Sequence, residues 1–66
     1  MSTHEHRGVF FEIHQIEEDF YIFVEGRRVL NAHLQYACFE FEDNAVTYMK
    51  RRIDHEIDSQ DYEIEM

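Results

Sequence analysis

Side chains divide between two faces with a period of two over three stretches of this chain, and apolar ones recur with a helical period over a fourth. In GVFFEIHQI, from Gly8 to Ile16, Val9, Phe11 and Ile13 share one face, and Phe10, Glu12 and His14 share the other. Aromatic and β-branched residues suit a pleated, half-buried surface, so this stretch predicts a strand. The polar EED at Glu17 to Asp19 predicts a turn. FYIFVE follows from Phe20 to Glu25, with Phe20, Ile22 and Val24 on one face and Tyr21 and Phe23 on the other. It predicts a second strand, antiparallel to the first. Gly26 in EGRR stands where a tight turn calls for positive φ. From Val29, Leu30, Ala32, Leu34 and Tyr36 alternate with Asn31, His33 and Gln35. That period favours a third strand, although a short helix also fits LNAHLQYACF.

The helical period is the clearest. In DNAVTYMKRRIDHEID, from Asp43 to Asp58, Val46, Met49, Ile53 and Ile57 recur along one stripe. Asp43 or Asn44 suits the N-cap, and early carboxylates suit the positive helix end. Lys50–Asp54 and Arg52–Glu56 stand as i,i+4 pairs. Residues 1–7 are polar and predict a frayed end, and 59–66 a flexible tail. The expectation is an α+β fold in one domain, residues 1–66: a three-stranded antiparallel sheet packed against one C-terminal helix at roughly 43–58.

Size narrows what such a fold can do. A chain of 66 residues buries roughly 60% of its unfolded surface, so the core is thin and has little room for a pocket. Cys38 is the only cysteine and cannot form an intrachain disulfide, which argues for an intracellular, cytoplasmic protein. The N-terminal MSTHEHRG lacks the apolar segment of a signal peptide. No run approaches the length of a membrane span.

Catalytic signatures are missing, and no enzyme is expected. Gly8 and Gly26 are too far apart for a phosphate-cradling loop, and Ser2 and Ser59 have no nucleophile-elbow context. His4, His6, His14, His33 and His55 lack zinc-ligand spacing, and Cys38 reads as a small core residue, so no metal or cofactor is expected. MKRR, Met49 to Arg52, is the one basic cluster. It suits pairing with carboxylates one turn along the helix better than nucleic-acid binding. Phe10, Tyr21, Phe23 and Tyr36 suggest core packing or a protein interface rather than a base-stacking sheet.

Charge is the remaining signal. Fifteen acids face six bases, giving −9. Residues 1–33 carry six acids and three bases; residues 34–66 carry nine and three, so the excess lies toward the C-terminus. Such a field repels nucleic acid and anionic membranes and attracts basic surfaces. It also promotes solubility. Asp54, Asp58 and Asp61 form one helical stripe if the helix extends that far. Asp61, Glu63 and Glu65 alternate with Tyr62, Ile64 and Met66. In an extended tail these carboxylates stand roughly 6.5–7 Å apart, of the order of successive phosphates on a nucleic-acid strand. Glu17, Glu18 and Asp19 at the first turn, and Glu40, Glu42 and Asp43 before the helix, extend the surface.

A very short, acidic, cysteine-poor chain in which YIFVEGRRV is followed by DNAVTYMKRRIDHEI resembles the small phage-encoded anti-CRISPR proteins. The resemblance spans the chain in size, charge and element order, and it carries over no functional residues. It implies a non-enzymatic inhibitor that binds a Cas subunit and covers a DNA-receiving surface rich in Arg and Lys. The other reading is an interaction module, monomer or homodimer, whose acidity serves solubility.

Overall fold

The computed structural model describes the backbone of residues 1–64 and the side chains of residues 1–59. Both expected strands form where the alternation places them. β2 (Val9–Ile16) pairs antiparallel with β3 (Asp19–Val24), with Ile13 opposite Ile22. Directly opposed residues share a face, so Phe11, Ile13 and Ile22 fall together beneath the helix and are almost fully buried. Each such burial stabilises by about 1.5–3 kcal/mol, a large fraction of what so small a domain can gather.

The hairpins before Val9 and after Val24 each turn on two residues. Arg7 and Gly8 have φ of 53° and 84°, and Glu25 and Gly26 have 52° and 79°. Positive φ at both central positions is the type I′ geometry, whose twist matches that of the flanking strands. Gly26 fills the role that its position in EGRR implies.

The sheet has more strands than the three expected. Ser2–His6, expected as a frayed end, forms edge strand β1, paired with β2 from Ser2↔Ile13 to His6↔Val9. That register turns Ser2, His4 and His6 toward the helix and Thr3 and Glu5 away from it. His4 stacks on Phe11 with centroids 5.3 Å apart, so an imidazole does the covering that an apolar residue usually does.

The third strand expected from Val29 to Tyr36 does not form; two short strands form on either side of those residues. β4 (Arg27–Arg28) pairs with β3, and Val29 N–H still donates to Ile22 O at 2.9 Å. The chain then leaves the sheet. Asn31 Oδ1 accepts from the backbone N–H of His33 at 2.8 Å and of Gln35 at 3.2 Å, and Leu34 takes φ 61°. This side chain competes with the strand for the backbone and wins. The chain rejoins at Ala37, whose N–H donates to Val29 O, and β5 (Cys38–Phe39) pairs with β3 beyond β4. β4 and β5 are therefore two pieces of one edge strand, with residues 30–36 looped out between them. The alternating Leu34 and Tyr36 are exposed as a result. Cys38, expected in the core, is exposed too.

Helix α1 runs Glu42–Ile64, longer at both ends than 43–58. Asp43 and Asn44, expected as cap candidates, both lie inside its first turn, where Glu42 and Asp43 meet the positive helix end. Met49 and Ile53 are buried on the expected stripe together with Ala45; Val46 and Ile57 flank them. The fold is thus α+β: an antiparallel sheet of about four strands with one C-terminal helix on one face.

Candidate protein-binding surface

The register of β5 against β3 decides where the acids gather. Phe20 stands opposite Phe39, so the next residue pair at that end of the sheet is Asp19 and Glu40. The β2–β3 turn at Glu17 and Glu18 caps the same end, and the helix starts there with Glu42 and Asp43. Two groups of acids separated in sequence thus meet at one end of the sheet. Glu17, Glu18, Glu40 and Asp43 are exposed; Asp19 and Glu42 are half-buried. Among the described residues none of the six makes a salt bridge, and no Lys or Arg lies in either segment. Neighbouring carboxylates without counter-charges repel one another and project a negative field.

The helix carboxylates are placed differently. Asp54 Oδ1 lies 2.8 Å from His6 Nε2 and accepts a hydrogen bond from Arg7 Nη1 at 3.1 Å. Arg7 also stands 3.6 Å from Asp58. The β1–β2 turn is thereby clamped to the helix. The hydrogen bonds from His6 and then from Arg7 hold the Asp54 carboxyl below its ordinary value. Hydrogen bonding to Asp54 first, and the charges of Asp54 and Asp58, hold the Arg7 guanidinium above its own. Lys50 makes no salt bridge with Asp54, the i,i+4 pair that spacing suggests; the strand residues take that carboxylate instead. Arg52 does reach Glu56, at 3.4 Å.

Asp61 and Glu63 lie on helical backbone, so they do not form the extended row expected of the tail. Glu65 lies outside the described residues.

The sheet face away from the helix carries a second feature. Arg28 lies 4.5 Å from the Tyr36 ring centroid, 4.8 Å from Tyr21 and 5.5 Å from Phe23. A guanidinium over ring faces is held by the ring quadrupoles. Phe10 is 66% and Tyr36 54% exposed on this face, whereas Phe23 is half-buried against His14. The roles of Arg28, and of His6 and Arg7, were not foreseeable from local pattern. Their partners lie across strands or, for Asp54, 48 residues along the chain from His6.

Among the described residues no three His, Cys, Asp or Glu side chains converge as metal ligands, and no helix is long and apolar enough to cross a membrane. Comparison of the chain with protein-family models, with curated proteins and with solved structures finds no match.

Proposed function

We propose that this protein is a non-enzymatic binding protein whose acidic end docks on a basic, nucleic-acid-binding protein surface and blocks nucleic acid there by charge mimicry. One observation carries the reading: Glu17, Glu18, Asp19, Glu40, Glu42 and Asp43 come to one end of the sheet with no base among them. A surface evolved to receive phosphates presents Arg and Lys, which this end complements. The partner that the anti-CRISPR resemblance implies is a DNA-receiving Cas subunit in the bacterial cytoplasm. Asp54 has a smaller part in this reading than sequence assigned it, because His6 and Arg7 already occupy it.

The test is binding of the purified chain to such an effector complex, with duplex DNA as competitor and salt as variable. Charge mimicry requires that DNA displace the chain and that affinity fall steeply as salt rises. The triple variant Glu17→Lys, Glu18→Lys, Glu40→Lys then loses binding while remaining folded.

A second reading rests on the exposed Phe10 and Tyr36 of the open sheet face. There the chain is an interaction module, or a homodimer, that binds through aromatics, and its acids serve solubility. Binding indifferent to salt and DNA but lost in Phe10→Ser or Tyr36→Ser selects it.

A further inference from the structure

The looped-out residues 30–36 do not lie idle against the sheet. Between this loop and the helix lies a groove of about 630 Å³. Its helix wall is formed by Asn44, Thr47, Tyr48, Arg51 and His55, and its loop wall by Asn31 and Ala32. The spacing of three, one, three and four residues puts the helix set on one side of α1. Volumes of this order suit small-molecule ligands.

Both walls are fixed before anything binds. The Asn31 side chain holds the loop through the N–H groups of His33 and Gln35, and Asn31 N–H donates to Gln35 O at 2.7 Å. Arg52 Nη1 donates to Leu30 O and so ties the loop to the helix, while its Nε donates to Glu56. Arg52 is therefore committed to structure. Arg51 is not: among the described residues it has no salt bridge. The lining contains two guanidiniums, an imidazole, amide and hydroxyl donors, and no carboxylate. In a chain with fifteen acids this is a local inversion of charge.

We propose that this groove binds a small organic anion, a phosphate or carboxylate carried on a ring. Arg51 receives the anionic group, with its planar fork matched to two oxygens. Thr47, one turn before it, and Asn44, two turns before it along the same side, supply neutral hydrogen bonds. The ring lies toward Tyr48, whose own ring is braced against Phe39 at 5.1 Å. The net charge of −9 opposes any anion at long range, so binding depends on these short contacts rather than on steering. The groove uses none of the six carboxylates at the acidic end, and the proposal stands or falls apart from the protein-docking reading.

The test is an amide-resolved NMR titration of the full chain with phenyl phosphate, inorganic phosphate and benzoate in parallel. Saturable shifts are expected at Asn31, Thr47, Arg51 and His55, with the ring-bearing anions binding tighter than inorganic phosphate. The tighter of phenyl phosphate and benzoate identifies the anionic group. Arg51→Gln, at an exposed helix position, should weaken binding about tenfold, the loss of one charge-assisted contact. Arg27→Gln, on the sheet edge outside the groove, should leave it within about twofold. Shifts spread equally over Arg27 and Lys50, parental affinity in Arg51→Gln, or no saturable shift with any of the three probes would overturn the proposal.

Discussion

Two sets of carboxylates stand at different places on this molecule, and they differ in what surrounds them. At the start of the helix, Glu17, Glu18 and Asp19 meet Glu40, Glu42 and Asp43 with no base between them. Farther along the helix, Asp54 and Asp58 face Arg7, and Asp54 also faces His6. Residue type is the same in both places. The first set is left to act outward, whereas the second joins the N-terminal hairpin to the helix. Counting acids treats the two alike; only the strand register tells them apart. Net charge in so acidic a chain is therefore not one property but a sum over groups in different surroundings.

Charge reversal breaks this comparison most sharply. Glu17→Lys, Glu18→Lys, Glu40→Lys should weaken binding to a basic partner by roughly 100-fold or more, since close charge pairs at such interfaces couple by about 1.5 kcal/mol or above each. The same substitutions should leave thermal unfolding little changed or raise its midpoint, because they relieve like-charge repulsion. Calorimetry beside a binding isotherm reads both. Asp54→Asn should do the reverse. It leaves His6 and Arg7 without their charged acceptor and lowers the unfolding midpoint, while partner affinity stays within about twofold.

Acid titration sharpens the same contrast. The Asp54 carboxyl is held below its ordinary value of 3.8 in the folded chain. Between the folded and unfolded values the unfolded chain binds more protons, so stability rises with pH across that window. The contribution is complete above the ordinary carboxylate value and is lost as pH falls through the depressed one. Asp54→Asn should flatten this part of the stability–pH curve.

How much of this was legible in sequence follows from which interactions are local. The β2–β3 hairpin was readable because Phe11, Ile13 and Ile22 recur on one face at period two within aromatic and β-branched runs, and because the turn between them is short. The helix stripe of Met49 and Ile53 was readable for the same reason at period 3.6. β1 was not, because STHEH contains no apolar residue, and its imidazoles pack at the core edge only once the register is known. Residues 30–36 alternate as a strand does, yet Asn31 offers the backbone hydrogen bonds that the sheet would otherwise provide. The acidic segments were legible one by one. Their meeting at one end was not, because it depends on Phe20 pairing with Phe39 after the loop has absorbed the intervening residues.

The smallest expected effect isolates the clamp from ordinary helix electrostatics. Spacing alone assigns Asp54 to Lys50, one turn before it, and an i,i+4 pair of that kind contributes about 0.3–0.5 kcal/mol. In the folded chain that carboxylate is turned to the β1–β2 hairpin, where two donors from a different element take it. Lys50 is exposed and makes no salt bridge among the described residues. Lys50→Ala should therefore leave stability within about 0.5 kcal/mol of the parent, helped slightly by the better helix propensity of Ala. A double-mutant cycle with Asp54→Asn should give a coupling near zero for Lys50 and a clear one for Arg7. If Lys50 instead coupled to Asp54 as strongly as Arg7 does, the helix carboxylates would be ordinary surface charge, and the division between the two sets would collapse.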